Sequence, residues 1–154
     1  MDKVLISRRF AKAVGTYLDK ADVQRYVASR MAELTGRYIP SDIQERVLEI
    51  GCGTGMFTRM YLQQAAPEEM WLNDLCPEVE PYLADVLGEK VHFMVKDAET
   101  LAFPEGQDLI VSCSAVQWFE DLPRFFSGCR KLLHEGGYLA SVPLVLIIRR
   151  RWRH

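Results

Sequence analysis

A doubly wound α/β fold built on a mostly parallel sheet is what this sequence predicts, on three observations. Strand-like and helix-like segments alternate from Val47 to Leu139. The first strand-like run, Val47-Leu48-Glu49-Ile50, closes on three glycines at alternate positions, Gly51, Gly53 and Gly55. The second, Met70 to Asp74, ends on an acid about twenty residues later, where a Rossmann-like fold places a ribose-binding carboxylate.

The elements follow in order. In residues 7 to 35, Phe10, Val14, Tyr17, Ala21, Val27, Met31 and Leu34 recur at helical spacing, which predicts an amphipathic helical region. Tyr17 and Gln24 are seven apart, so they lie near one face with Ala21 between them. That face points toward the pocket if the segment covers it; an ordinary cover helix explains the same periodicity. Val47, Leu48 and Ile50 suit a central parallel strand, and the glycines behind them let the backbone turn sharply into a helix from about Thr54 to Gln64. Strand 70–74 is followed by a helix from Pro77 to Leu87, and strand Val91 to Val95 runs into Lys96-Asp97-Ala98-Glu99. Further strands are expected at Leu109 to Ser112 and Tyr138 to Val142, with a helix from Leu122 to Leu133 and Gly136-Gly137 as the break after it. The chain thus divides into a helical lid segment (1–40), a five-stranded core (41–142) and a basic tail (143–154).

The loop chemistry separates two cofactors. A dinucleotide fingerprint would place its third glycine at position 56, but Met56 stands there and glycine comes one residue early. A pyrophosphate on a helix N-terminus also has no use for a carboxylate at the strand end, where Glu49 sits. An acidic rim better suits S-adenosylmethionine, which carries a sulfonium and an ammonium and no phosphate. An ordinary tight turn would explain the glycines alone, and Asp74 and Asp97 reduce that alternative. Asp74 can accept from two ribose hydroxyls. It could equally cap the helix beginning at Pro77, although Asn73 or Cys76 could lie nearer the cap. Asp97, at the end of the third strand, suits the exocyclic amine of adenine.

Composition narrows the class. The chain has 154 residues with 49% hydrophobic content, enough for one core and one domain. A net charge of −2, with its charges interspersed except at the C-terminus, gives no general attraction to nucleic acid. Cys52, Cys76, Cys113 and Cys129 match neither zinc-knuckle nor Cys-x-x-Cys spacing, so reduced thiols in the cytoplasm are expected. Met1 to Phe10 is interrupted by Lys3, Arg8 and Arg9, so no secretion signal and no membrane association are inferred. His92, His134 and His154 do not cluster, and no metal is expected.

Through Glu49-Ile-Gly-Cys-Gly-Thr-Gly55, Asp74, Asp97-Ala98 and Gly136-Gly137 the chain resembles the class I S-adenosylmethionine-dependent methyltransferases over about two-thirds of its length. The segment from Phe10 to Arg25, with Tyr17, Ala21 and Gln24, together with Ser114-Ala-Val-Gln117-Trp118, is similar to the family of malonyl-acyl carrier protein O-methyltransferases of biotin synthesis. The resemblance implies methyl transfer to the free carboxylate of a malonyl thioester on acyl carrier protein, giving a methyl ester. It implies that Glu49, Gly51, Gly53 and Gly55 line the methionine end, that Asp74 holds the ribose and that Asp97 with Ala98 holds the adenine; a monomer is expected. Tyr17 and Gln24 would close the lid, and Gln117 and Trp118 would edge the transfer pocket, although core packing explains Trp118 equally well. Arg8, Arg9 and Arg25 are candidates for docking the acidic carrier. Methyl transfer to another small molecule or lipid, and cofactor binding without turnover, are the alternatives.

The family's sheet has seven strands, the last two forming an antiparallel hairpin, whereas strand signals here stop at the fifth. Pro143 to Ile148 followed by Arg149-Arg-Arg-Trp-Arg153 shows no strand or helix punctuation, and its apolar run is too short for a bilayer, which takes about twenty residues. The expectation is a truncated product without the last two strands.

Overall fold

The computed structural model describes residues 20–113, 119–142 and 146–150. Helix α1 (Lys20–Tyr38) comes first, then β1 (Arg46–Ile50), α2 (Met56–Gln64), β2 (Glu69–Asp74), β3 (Val91–Val95), β4 (Gln107–Ser112), α3 (Leu122–Leu132), β5 (Leu133–Ser141) and β6 (Leu146–Arg149). The strands form one sheet in the order β3-β2-β1-β4-β5-β6. Neighbours among the first five are parallel, and β6 runs antiparallel to β5. The expected doubly wound architecture and its five parallel strands are present.

Alternation along the central strands explains the two layers. Val47, Met70, Leu72, Leu109 and Val111 pack with Ala28 and Met31 of α1 and Phe57 and Tyr61 of α2. Leu48, Ile50, Ile110 and Leu139 face the other way, onto Phe125, Cys129 and Leu132 of α3. Side chains point to opposite faces at successive strand positions, so strands covered on both sides read as unbroken apolar runs. At the N-terminal end of the sheet, Asp108 accepts from the backbone N–H groups of Glu45 and Arg46 at 2.9 and 2.7 Å and pairs with His134. That carboxylate fixes β1 against β4 and β5, at the end opposite the glycine loop.

Three expectations need correction. The helix expected over 77–87 is a 3-10 helix, Pro77–Leu83, because in an α-helix the ring of Pro81 would clash with the carbonyl of Pro77. Gly136-Gly137 does not separate helix from strand: β5 follows α3 directly, and its pairing with β4 is irregular between Gln107 and Leu109. A Cβ on Gly137 would approach the Gln107 carbonyl oxygen to 2.9 Å, so glycine allows the two backbones to meet there. The tail is also not without regular structure. Leu146–Arg149 pairs with β5, setting Ser141 beside Leu146 and Tyr138 beside Arg149. Beyond this pair, Gly136 N–H donates to the Arg150 carbonyl and Arg150 N–H donates to the Gly137 carbonyl. Isoleucine at 147 and 148 is a β-branched residue type, which favours a strand there.

One packing feature fixes α3. Leu101, at φ 58, is a non-glycine residue in the left-handed region, and a Cβ on Gly128 of α3 would fall on its methyl groups. Gly128→Ala is expected to lower stability by about 1–3 kcal/mol, because α3 or Leu101 must move to make room. Urea denaturation measures this; a change under about 0.5 kcal/mol would show that the contact yields freely.

Candidate cofactor site

The site lies at the C-terminal ends of β1, β2 and β3, on the edge where open α/β sheets bind ligands. Gly51, Gly53 and Gly55 all have positive φ, at 69, 55 and 89°. The chain therefore turns tightly from β1 into α2 through conformations that side chains disfavour. A Cβ on Gly53 would meet nothing within 4 Å, so open space lies over the middle of the loop. A Cβ on Gly55 would instead approach Leu83 to 2.8 Å and Arg59 to 2.9 Å, which makes that glycine a packing requirement.

Asp74 closes the loop from β2. Its Oδ2 accepts from Gly53 N–H at 2.8 Å and its Oδ1 from Cys76 N–H at 3.0 Å. The 3-10 helix behind it is N-capped by Cys76 without any side-chain bond, so Asp74 is not its cap. Each carboxylate oxygen retains a lone pair for a further donor. Leu75, next to it in the chain, is 63% exposed, and Val95, paired with Asp74 in the sheet, is exposed as well.

Glu49 stands lower than the acidic rim expected of it. It is buried in β1 beneath the loop, and the Thr58 hydroxyl donates to its Oε1 at 2.5 Å. Burial pushes its pKa up to about 8; the Thr58 bond opposes that shift and the charge of Asp74 adds to it. Burial, with the charges of Glu49 and Asp74, likewise raises the Cys52 thiol, and burial followed by Glu49 raises Cys113. These thiols resist ionisation and are poor nucleophiles. All four cysteines are unpaired.

Asp97 and Ala98 sit at the end of β3. Asp97 Oδ1 accepts from Glu99 N–H at 3.0 Å and starts the 3-10 turn Ala98–Thr100, in which Ala98 is buried. Of the residues expected over the pocket, Gln24 is exposed on α1. Gln64, at the far end of α2, donates to the Ala32 carbonyl of α1 at 2.7 Å, so the C-terminal half of α1 is held at the end of α2 farthest from the glycine loop. Arg25 is exposed and pairs with Asp22 at 3.4 Å. Tyr17, Gln117, Trp118, Arg8 and Arg9 lie outside the described residues.

Arg59 was missed by the sequence reading. Its guanidinium donates to the Thr54 carbonyl at 2.6 Å, to the Tyr82 carbonyl at 2.5 Å, and to both oxygens of Asp85 at 2.8 and 2.7 Å. It thereby ties the glycine loop to the segment following Asp74. Only the fold reveals this role, since its partners lie on two separate loops.

The donor set suits S-adenosylmethionine. The left-handed Gly53, under open space, admits close approach, and the Asp74 carboxylate stands beside it with lone pairs left to accept. A cationic group near Glu49 would favour its ionised form. Among the described residues no helix is long and apolar enough to cross a membrane, and no group of three His, Cys, Asp or Glu side chains could hold a metal.

The sheet order and the glycine turn define a Rossmann-like cofactor-binding domain. Residues 48–141 match the family described as Methyltransferase domain, and the chain belongs to that family. The methyltransferase class and the S-adenosylmethionine cofactor expected from the sequence agree with this membership. Over 141 residues, 91% of this chain and 54% of the relative, it is 49% identical to the malonyl-[acyl-carrier protein] O-methyltransferase of Bacteroides thetaiotaomicron. It is 35% identical over 140 residues to the protein of that name from Haemophilus influenzae, covering 91% of this chain and 54% of the relative. The chain thus spans about half the length of these relatives. Its fold is like that of an S-adenosylmethionine dependent methyltransferase from Mesorhizobium loti, with a TM-score of 0.61 and 24% identity over 71% of this chain and 52% of the other. It is also like the trans-methyltransferase CalH in complex with SAH, with a TM-score of 0.62 and 18% identity over 78% and 38%.

Proposed function

We propose that this chain binds S-adenosylmethionine at the glycine loop and methylates the free carboxylate of a malonyl thioester on acyl carrier protein, the step that primes pimeloyl synthesis for biotin. The observation that carries the reading is the 49% identity across 91% of the chain to a protein named for that reaction. Bound S-adenosylmethionine supplies an electrophilic methyl group on sulfur. The acceptor carboxylate is already a nucleophile and needs no general base, so the protein's task is positioning and exclusion of water.

In this reading Glu49, Gly51, Gly53 and Gly55 hold the methionine end, Asp74 the ribose, and Asp97 with Ala98 the adenine. Tyr17 and Gln24 cover the site, and Gln117 and Trp118 edge the acceptor. Arg25, with Arg8 and Arg9, offers positive charge to an acidic carrier, and the protein acts as a cytoplasmic monomer. The test is incubation of the 154-residue chain with malonyl-carrier protein and S-adenosylmethionine labelled in the methyl group. Label transferred to the carrier and then released by base as methanol, as from a methyl ester, is expected. Cofactor binding without any ester would overturn the carboxyl-methylation reading for this chain and leave the cofactor reading standing.

A further inference from the structure

We infer that Glu99 is a positioning residue that ties the turn proposed to hold adenine to the segment proposed to edge the acceptor pocket. The inference rests on the proposed function for the meaning of those two places, and on geometry for the tie between them.

The turn is stiffly made. Asp97 Oδ1 accepts from Glu99 N–H, and the Thr100 hydroxyl donates to the Asp97 carbonyl at 2.7 Å. Leu101 closes the turn in a left-handed conformation and packs onto Gly128 of α3. From this turn the Glu99 carboxylate reaches across 21 residues of sequence. Glu120 N–H donates to its Oε1 and Oε2 at 3.1 and 3.2 Å, and Asp121 N–H donates to Oε2 at 3.2 Å. The Phe119 ring sits edge-on to Phe125 at 4.6 Å. Residues 119–121 are therefore anchored, and the peptide bond before them joins Trp118. The other end of the same segment leaves β4 at Cys113, which is buried. Glu99 thus fixes Glu120 and Asp121, just ahead of α3, relative to Asp97 and Ala98.

Helix capping alone does not account for the contact. Asp121 already caps α3 by accepting from Arg124 N–H at 3.1 Å, and a proline sits in the first turn. Glu120 and Asp121 are exposed, so water could satisfy their amides without Glu99. What the carboxylate adds is a fixed relation between two loops. Seating a ligand in the turn should then steady the acceptor segment, and loosening the tie should harm acceptor use more than cofactor affinity.

Amide hydrogen exchange tests this on the full chain, with and without S-adenosylhomocysteine. In Glu99→Gln, which keeps the shape and removes the charge, the Glu120 and Asp121 amides should exchange about tenfold faster than in wild type. Wild type should also show slower exchange across 114–121 when the ligand binds. The variant should lose that slowing although its ligand affinity stays within about threefold. Glu99→Asp, which withdraws the charge by one methylene, should behave the same way. Equal exchange in variant and wild type, or ligand protection that survives the substitution, would overturn the inference. If wild type binds no S-adenosylhomocysteine, the cofactor reading falls, and the ligand-free comparison alone decides whether Glu99 makes the tie.

Discussion

Between pH 5 and pH 8 the wild-type protein is expected to lose about 3 kcal/mol of stability that a Glu49→Gln variant keeps. The cause is the carboxyl beneath the glycine loop, whose pKa burial pushes up from 4.5 to about 8. In the unfolded chain this group ionises near the ordinary value, whereas in the folded chain it holds its proton until pH 8. Folding therefore binds a proton throughout that window. The stabilising preference for the neutral form is fully present below the unfolded pKa and is lost as pH rises through the folded one. The variant's amide has no proton to lose in this range and still presents an acceptor to the Thr58 hydroxyl. Urea denaturation of both proteins at pH 5, 6.5 and 8 gives the comparison. If the two pH profiles run parallel, Glu49 does not carry the shift. The same group gives a binding signature: ligand that brings an ammonium near Glu49 should release about one proton at pH 7, read by calorimetry in buffers of different ionisation enthalpy.

Glu49 also shows how far the sequence could be read. Its place at the end of a buried strand, ahead of the glycines, was legible. Its depth was not, because burial under a loop depends on what packs around it; Thr58, the partner that accompanies it, stands nine residues away on the far side of the turn. The parallel strands were legible for a related reason. Strands covered on both faces read as short apolar runs, as Met70 to Leu72 of β2 and Leu109 to Val111 of β4 do, and β1 is such a run broken only by Glu49. The edges read less well. The tail joins the sheet as β6 through pairing with β5, although its apolar run is not punctuated like the other strands. After β2, Pro77 marks a helix start in either helix type, and only the interior Pro81 separates the 3-10 form from the α-helix expected there. At the site, glycines and strand-end acids announce themselves by position. Arg59 and Glu99 do not, since each acts on backbone atoms more than twenty residues distant.

Two substitutions in the loop should separate loss of binding from loss of fold. Asp74→Ala removes the carboxylate that accepts from Gly53 and Cys76 and would also hold the ribose. Two hydrogen bonds to a charged acceptor contribute about 1.5–3 kcal/mol each, so S-adenosylhomocysteine should bind at least about 100-fold more weakly. Asp74→Asn keeps one acceptor oxygen and should fall between, at about tenfold. Asp74 also shapes the loop, so its removal alone would not place the ligand there. Gly53→Arg supplies the missing discrimination. At φ 55 a side chain costs about 1–2 kcal/mol, yet its Cβ meets nothing within 4 Å, so the chain should fold with a modestly lower melting temperature. The guanidinium would then project into the open space over the loop. Calorimetric titration should show no binding to this variant while its circular dichroism remains that of the wild type. Undiminished binding to Gly53→Arg would move the cofactor away from the glycine loop, whatever Asp74→Ala had done.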